Sequence, residues 1–160
     1  MSAMKDLPAI NVSQVRNEKE REEVFMIRRK VFVEEQQVAP DEEYDEFENT
    51  STHYIATIDD MPAGTARWRE TGSKVKLERF AVLKEYRGKG IGKALVNAVV
   101  SDAGRLNKPV YLHAQLPVIK FYEKHGFKAE GKIFEEAGIL HRIMFLGSPA
   151  ALRSSQRTAL

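Results

Sequence analysis

The stretch Lys84–Val100, KEYRGKGIGKALVNAVV, decides how the sequence is interpreted. Three glycines stand at alternate positions, basic residues lie between them, and an apolar helical pattern follows directly. Glycine lets backbone N–H groups converge without side-chain obstruction, and the N-terminus of a helix is the positive end of its dipole. The stretch therefore predicts a phosphate or pyrophosphate site at the start of a helix. The plainer alternative is a glycine-rich turn with a solvated basic rim.

Two common nucleotide motifs do not fit this stretch. A P-loop places four residues between its first glycine and the Gly-Lys pair and then requires Ser or Thr. Here Gly88 and Gly92 enclose three residues, and Lys93 is followed by Ala94. A G-x-G-x-x-G fingerprint counted from Gly88 would need a third glycine where Lys93 stands. Phosphate transfer by a P-loop and dinucleotide binding by this fingerprint are both excluded.

The composition describes a single soluble domain. The chain has 160 residues, enough to bury about two-thirds of its unfolded surface around one core. Its 25 basic and 23 acidic residues nearly cancel, so the net charge gives no reason to propose a nucleic acid partner. The absence of cysteine removes disulfides and a thiol nucleophile, and no apolar run is long enough to span a bilayer. We expect a cytoplasmic protein without a membrane partner, and four histidines without ligand spacing predict no metal site.

The first third of the chain shows a strand, a helix and a loop. Apolar and polar residues alternate over Ile10–Val15, which predicts a strand. Asn17 with Glu20 three positions later resembles a capping box, so a helix is expected to begin there and to run to about Val33. The acidic segment 36–52 has no periodicity, and we expect a loop with a short helix at most.

The remainder predicts an α+β domain in the order β-α-(α)-β-β-β-α-β-α-β-β. Three strand-like runs separated by turn residues suit an antiparallel meander. A helix follows that ends near Gly104, then a strand, a short helix with Gly126 as its C-terminal cap, and a closing pair of strands. We assign residues 1–146 to one domain and 147–160 to a mobile tail, because the tail is small and polar.

The spacing of the glycine stretch resembles a known cofactor loop. The pattern Arg87-x-x-Gly90-x-Gly92, after a strand and before a helix, resembles the acetyl-CoA pyrophosphate loop of the GNAT superfamily of N-acetyltransferases. Downstream, IKFYEKHGF (Ile119–Phe127) is similar to the second signature of that superfamily. The resemblance extends over residues 10–146, and several segments also resemble a small bacterial branch. It implies a mixed, mostly antiparallel central sheet flanked by helices, and transfer of acetyl from acetyl-CoA to the primary amine of a small molecule.

The resemblance also implies which residues hold the cofactor. In the superfamily the strand before the loop splays from the next strand, which frees backbone groups for the pantetheine arm and the thioester oxygen. Gln115 stands near the position where many relatives have an asparagine that bonds the CoA arm. The predicted cofactor contacts are Phe80, Ala81, Val82, Arg87, Gly88, Lys89, Gly90, Ile91, Gly92, Lys93, Gln115 and Tyr122.

The chemistry needs an acid for the departing thiolate and a base for the amine. A tyrosine, with an unperturbed pKa of about 10, is neutral at working pH and can donate a proton, and the resemblance puts the family's tyrosine acid at Tyr122. Core packing is the alternative role for this aromatic residue. Glu78, Glu136 and His141 are candidate bases, although each fits equally well as a surface charge or a satisfied strand histidine. The other three histidines share the suitability of imidazole for this role.

In this architecture the acceptor is bounded by the first helix, the following loop and the final hairpin. Acidic residues in VEEQ and PDEEYDEFE favour a cationic amine, whereas Arg29 and Arg67 indicate an anionic group on the acceptor. The two indications disagree and leave the acceptor open. The predicted substrate contacts are Arg29, Glu35, Gln36, Asp45, Glu136 and His141.

Alternatives to this function are also consistent with the sequence. Without a cysteine or a recognisable serine nucleophile, transfer is expected to be direct. A CoA-binding sensor or partner module without catalysis, a phosphate-binding protein, and acetylation of a protein or peptide amine are the alternatives. A homodimer is expected from the resemblance, with the apolar closing strands as its interface.

Overall fold

The computed structural model describes residues 7–147, so the predicted tail lies outside the described residues apart from Gly147. Within them the chain forms a seven-stranded sheet with helices on its faces. The strands are β1 (Ile10–Gln14), β2 (Thr52–Ile58), β3 (Met61–Thr71), β4 (Lys74–Val82), β5 (Val110–Gln115), β6 (Phe127–Glu136) and β7 (Ile139–Leu146). The helices are α1 (Glu18–Arg28), a π-helical segment (Arg29–Glu35), α2 (Pro40–Glu43), α3 (Ile91–Gly104) and α4 (Ile119–Glu123), with short 3₁₀ turns at Lys84–Tyr86 and Leu116–Val118.

The strand order across the sheet is β1-β2-β3-β4-β5-β7-β6. Every neighbouring pair is antiparallel except β4 and β5, which are parallel and are joined through α3. The predicted α+β class, the order of elements and the mixed, mostly antiparallel sheet are therefore confirmed. Within residues 7–147 no helix is long and apolar enough to cross a membrane.

The start of α1 agrees with the sequence, and its end does not. The Asn17 side chain accepts a hydrogen bond from the Glu20 backbone N–H at 2.9 Å, as an N-cap should. The α-helix ends at Arg28 instead of about Val33, because the following residues adopt π-helical bonding, with Gln36 N–H donating to the Val31 carbonyl at 3.0 Å. Such wide turns are often found at functional sites, and this one borders the cavity described below.

Two buried clusters lie on the sheet. The larger one packs α3 on β1–β4, and its members include Leu77, Leu95 and Tyr122. The smaller one joins the end of α1 and the π-helical segment to β4, through Ile27 and Ala81 among others. These packed layers hold β4 from both sides.

The sheet opens between β4 and β5. Their parallel pairing covers only Val75–Leu77 with Val110–Leu112, so the strands part after the third pair. Next to this opening the register of β3 and β4 shifts between Thr65 and Arg67, with two residues of β4 opposite one residue of β3. This β-bulge contains Arg79, whose φ of 60° is in the left-handed region that side chains rarely adopt. The bulge turns the second half of β4 away from β5.

Candidate active site

A cavity of about 960 Å³ lies at the opening between β4 and β5. One end is lined by the glycine loop and the other by the acidic segment after α2 and by the β6–β7 hairpin. A single continuous space thus brings together most of the residues predicted from the sequence. The predicted residues that line it are Glu35, Gln36, Asp45, Glu78, Phe80, Ala81, Val82, Arg87, Gly88, Gly90, Ile91, Gly92, Lys93, Gln115, Tyr122, Glu136 and His141.

Two predicted contacts lie elsewhere. The Arg29 side chain is 55% exposed, pairs with Glu34 at 3.2 Å and does not line the cavity. Lys89 is also outside the cavity lining. Arg67, which had indicated an anionic acceptor together with Arg29, is buried and bound to carboxylates of the protein. Neither arginine therefore supports an anionic acceptor.

The glycine loop presents backbone to the cavity. Gly88 has φ of 79° and Gly90 has φ of 93°, so both adopt the left-handed conformation that glycine tolerates without strain. Gly90 is the N-cap of α3, and no side chain caps the helix there. The N–H groups of the first turn are consequently available to an anion. A Cβ on Gly92 would come within 3.4 Å of the Phe121 ring, which leaves little room for a larger residue.

The guanidinium of Arg87 is already bound in this structure. Its two terminal nitrogens contact the Glu35 carboxylate at 2.6 and 2.8 Å, and its Nε donates to the Val82 carbonyl at 3.0 Å. The hydrogen bond from Arg87 lowers the pKa of Glu35. Glu35, predicted as a substrate contact, thus lies at the cofactor end. Its carboxylate neutralises the positive charge of Arg87, which the sequence predicts to bind the pyrophosphate.

The next residue, Gln36, makes a second bridge from the π-helical segment. Its amide exchanges two hydrogen bonds with the amide of Gln115, at 3.0 and 3.3 Å. Gln115 stands at the end of β5, so this pair connects the π-helical segment to β5. Consecutive side chains of one short segment therefore contact two residues predicted to hold CoA.

Tyr122 lies on α4 with its ring in an aromatic cluster. The ring packs edge-on against Phe80, Phe121 and Phe127, with centroids 5.2 to 6.0 Å apart. The residue lines the cavity, and no hydrogen bond of its hydroxyl is found among residues 7–147. Burial raises the pKa of Tyr122, so the phenol keeps its proton at neutral pH. The hydroxyl is available as a proton donor.

The acidic segment is fixed to the sheet by buried arginines. Arg67 is 1% exposed and binds Asp45 at 2.7 Å and Glu48 at 2.9 Å. Burial alone would raise the pKa of Asp45, but the hydrogen bond and charge of Arg67 lower it to about 2. Arg28, also 1% exposed, binds Glu48 at 2.8 Å and Glu43 at 2.6 Å. Glu43 and Asp45 of this network line the cavity, so the buried arginines fix this part of its wall.

Glu78 belongs to the same network. One carboxylate oxygen accepts hydrogen bonds from Arg67 and Arg69, both at 2.8 Å, and the other lies 3.3 Å from Lys76. Burial would raise the pKa of Glu78, but the charges of Arg67 and Lys76 lower it. A carboxylate held by three cations is a weak proton acceptor. The geometry therefore favours an anchoring role for Glu78 over its predicted role as base.

Two histidines line the cavity on β5 and β7. His141 is 6% exposed, and its Nδ1 lies 2.7 Å from the Ile139 carbonyl. His113 was not singled out by the sequence, and its Nδ1 lies 3.2 Å from the Glu136 carboxylate. The hydrogen bond from His113 is the main cause that lowers the pKa of Glu136 to about 2. Within residues 7–147 no group of three or more His, Asp or Glu side chains is arranged to hold a metal ion.

These features define a class of protein. Three features meet at one cavity: a strand pair that parts beside a bulge, an uncapped helix N-terminus and a buried tyrosine. Together they fit a transferase that uses a CoA thioester. The model of the acetyltransferase (GNAT) domain matches residues 15–146. The chain belongs to this family. Membership confirms the predicted enzyme class, an acetyl-CoA-dependent N-acetyltransferase, and acetyl-CoA as the acyl donor.

Individual proteins agree with this assignment. The chain is 38% identical over 130 residues to the uncharacterized N-acetyltransferase YjcF of Bacillus subtilis. The aligned region covers 79% of this chain and 91% of YjcF. An acyl-CoA N-acyltransferase from Pseudomonas aeruginosa has a similar structure, with a TM-score of 0.74, 26% identity, and coverage of 86% of this chain and 98% of that one. A Bacillus subtilis acetyltransferase in complex with CoA shares the fold, with a TM-score of 0.63, 19% identity, and coverage of 88% and 99%.

Proposed function

We propose that the protein transfers the acetyl group of acetyl-CoA to the primary amine of a small molecule by direct attack. The observation that carries this proposal is the single cavity, which joins the uncapped start of α3 to Tyr122 and to the histidines beyond it. A thioester held at one end would face an amine entering from the other. The sulfur would then lie within reach of a proton donor.

The cofactor end fits the parts of CoA in order. The pyrophosphate is proposed to bind the N–H groups that follow Gly90, with Arg87 and Lys93 beside it. The pantetheine arm would follow the second half of β4, Phe80–Val82, whose side toward β5 is unpaired. Gln115 would contribute its amide from the opposite strand. This arrangement requires Glu35 and Gln36 to release Arg87 and Gln115 when the cofactor enters.

Tyr122 is proposed as the general acid. Acetyl-CoA supplies the activated acyl group, and backbone N–H groups freed by the bulge near Phe80 would polarise its carbonyl. The neutral amine attacks the carbonyl carbon, and Tyr122 gives its proton to the leaving sulfur. The buried hydroxyl is protonated at the start of each cycle, and because burial raises its pKa, proton transfer depends on the negative charge that develops on the sulfur.

The acceptor end supports a small ligand. It is bounded by the sheet, by the π-helical segment and by the β6–β7 hairpin. The whole cavity of about 960 Å³, cofactor end included, is within the range of about 300–1,000 Å³ found for small-molecule pockets, so the part left for the acceptor is small. We propose Gln36, Asp45, Glu136 and His141 as its contacts. The Glu136 side chain is 47% exposed and negatively charged, which suits a cationic amine.

Thermal shift and thiol release test this proposal together. CoA and acetyl-CoA should raise the Tm while ATP and NAD should not, because only the former present the pyrophosphate with a pantetheine arm. A panel of polyamines, amino sugars, amino acids and aromatic alkylamines should then contain an acceptor that gives free CoA and an acetylated product by mass spectrometry. Stabilisation by CoA without thiol release from the whole panel would instead support a CoA-binding sensor, and release only with peptide amines would support protein acetylation.

The homodimer stays a prediction. Ile133 on β6 is 55% exposed and Leu140 on β7 is 51% exposed, which supports an interface on the closing strands. Light scattering of the wild type against Ile133→Lys measures it. A monomeric mass for the wild type would remove the prediction.

A further inference from the structure

We propose that His113, oriented by Glu136, is the general base that removes a proton from the acceptor ammonium. This inference rests on the proposed function, since it concerns the amine that attacks the thioester. Neither the sequence motifs nor the family resemblance points to His113. The position of the imidazole and the carboxylate that holds it point to this role.

His113 stands where the cavity begins. Leu77 and Leu112 form the last pair between β4 and β5, so His113 is the first residue of β5 beyond the pairing. Its side chain is 23% exposed and lines the cavity, as do those of Glu136 and Tyr122. An acceptor amine that approaches a thioester between the parting strands would therefore pass this imidazole.

The partner of the imidazole fixes which nitrogen can act. Glu136 is ionised at neutral pH, so its carboxylate can only accept, and the nitrogen 3.2 Å away must carry the proton. In the neutral ring this leaves the lone pair on Nε2 of His113. Among residues 7–147, no hydrogen-bond partner of that nitrogen is found. Edge-on packing against Phe134, with centroids 5.0 Å apart, further restrains the ring.

The other candidates are less suited to hold the proton. Glu78 is bound by three cations, among them Lys76, and its pKa is lowered. The Nδ1 of His141 lies against the neutral Ile139 carbonyl, and the Glu136 carboxylate acts on His141 through its charge, whereas it contacts His113 directly. The direct contact lets this carboxylate stabilise an imidazolium at His113. Glu136, Lys76, Glu78 and His141 are the titratable groups that line the cavity around His113 from β6, β4 and β7.

The proton balance of the cycle is complete with these groups. Nε2 of His113 takes one proton from the ammonium and later releases it to solvent. The neutral amine forms the C–N bond, the C–S bond breaks, and the electron pair goes to sulfur. Tyr122 protonates the sulfur and regains the proton that the nitrogen loses as the amide forms. The products are the acetylated amine, CoA thiol and one proton in solution.

Two acceptors of different basicity separate a base from a structural residue. An alkylamine is mostly protonated at pH 7.5 and needs the base, whereas methoxyamine is already neutral. We expect His113→Gln to lower kcat/KM about 10²-fold or more with the best alkylamine of the panel, and only a few-fold with methoxyamine. Glu136→Gln should show the same selectivity in kcat at saturating amine with a smaller loss, of about 10-fold, because it acts through the imidazole, whereas loss of a direct contact with the cationic amine would raise KM. His125→Gln, on a histidine outside the cavity lining, is the matched control and should change neither rate.

A spectroscopic measurement and a chemical rescue provide two further readouts. Imidazole ¹⁵N spectra of the free protein should show His113 as the Nδ1–H tautomer in the wild type, and Glu136→Gln should weaken that preference. Free imidazole should restore alkylamine turnover in His113→Ala. The proposal is overturned if His113→Gln slows both acceptors equally, if it slows neither, or if the spectra show the Nε2–H tautomer. An inactive wild type with this tautomer intact would instead refute the proposed function.

Discussion

The cofactor end of the cavity is formed by one short segment, Arg87–Lys93, of which all residues but Lys89 line the cavity and which presents backbone N–H groups at the start of α3. The acceptor end is formed by side chains from β3 to β7 and from the segment after α1. Backbone geometry of the first kind depends on glycine at fixed spacing, so it leaves a pattern in the sequence. An ion network between distant segments leaves none. The two ends should therefore respond differently to mutation.

Removing the central arginine of the acceptor end should have the largest effect. Arg67→Met leaves Asp45, Glu48 and Glu78 without their shared guanidinium, so we expect the free energy of unfolding to fall by about 3–5 kcal/mol. Urea unfolding measures this loss. Arg29→Met removes the same charge from an exposed pair and should cost less than about 1 kcal/mol. Equal effects of the two substitutions would contradict a structural role for the network.

A change at the cofactor end should affect cofactor binding rather than the stability of the acceptor end. Gly90→Ala puts a Cβ on a residue with φ of 93° and should weaken acetyl-CoA binding about 10-fold, because the loop must shift to relieve the strain. Calorimetry measures the Kd. Gly104→Ala, with open space around the added Cβ and without positive φ, is the control and should leave the Kd unchanged. An unaltered Kd in Gly90→Ala would show that the loop conformation does not matter for the cofactor.

The smallest effect is expected where the π-helical segment contacts the cofactor end. Glu35→Gln removes the charge that competes for Arg87, and acetyl-CoA should bind about 3–10-fold more tightly, with the gain reduced by salt. Glu34→Gln changes the neighbouring carboxylate, which pairs with exposed Arg29 within the described part of the chain, and should have no effect on the Kd. Weaker binding in Glu35→Gln would mean that this carboxylate supports the cofactor site.

The fold could be predicted from the sequence where local rules decide it. Asn17 caps α1 as its spacing indicates, and α3 ends at Gly104 as predicted. The change to π-helical bonding at Arg29 and the bulge at Arg79 depend on tertiary packing, and no local pattern announces them. Because these two irregularities direct side chains toward the cavity, part of the site was not predictable.

The candidate site shows the same division. Its glycine spacing and Tyr122 could be named from the sequence, and they line the cavity. The sequence shows Arg67 only as a positive charge, whereas in the structure carboxylates bind it. His113 is one of four histidines in the sequence. The strand register determines the surroundings of both residues, because it brings Arg67 opposite Glu78 and places His113 at the end of the β4–β5 pairing. The one signal for His113 in the sequence is the alternation of apolar and polar residues along β5, which places it on the less buried face of the strand.

The proposed mechanism requires one cavity to hold the thioester beside a tyrosine that protonates the leaving sulfur. The kcat and the acetyl-CoA Kd of Tyr122→Phe, measured on the same preparation, test this claim. We expect kcat to fall about 10²-fold or more while the Kd stays within about twofold of the wild type, because the lost interaction acts only in the transition state. Unchanged turnover would contradict the claim, as would a fall in turnover fully explained by weaker cofactor binding.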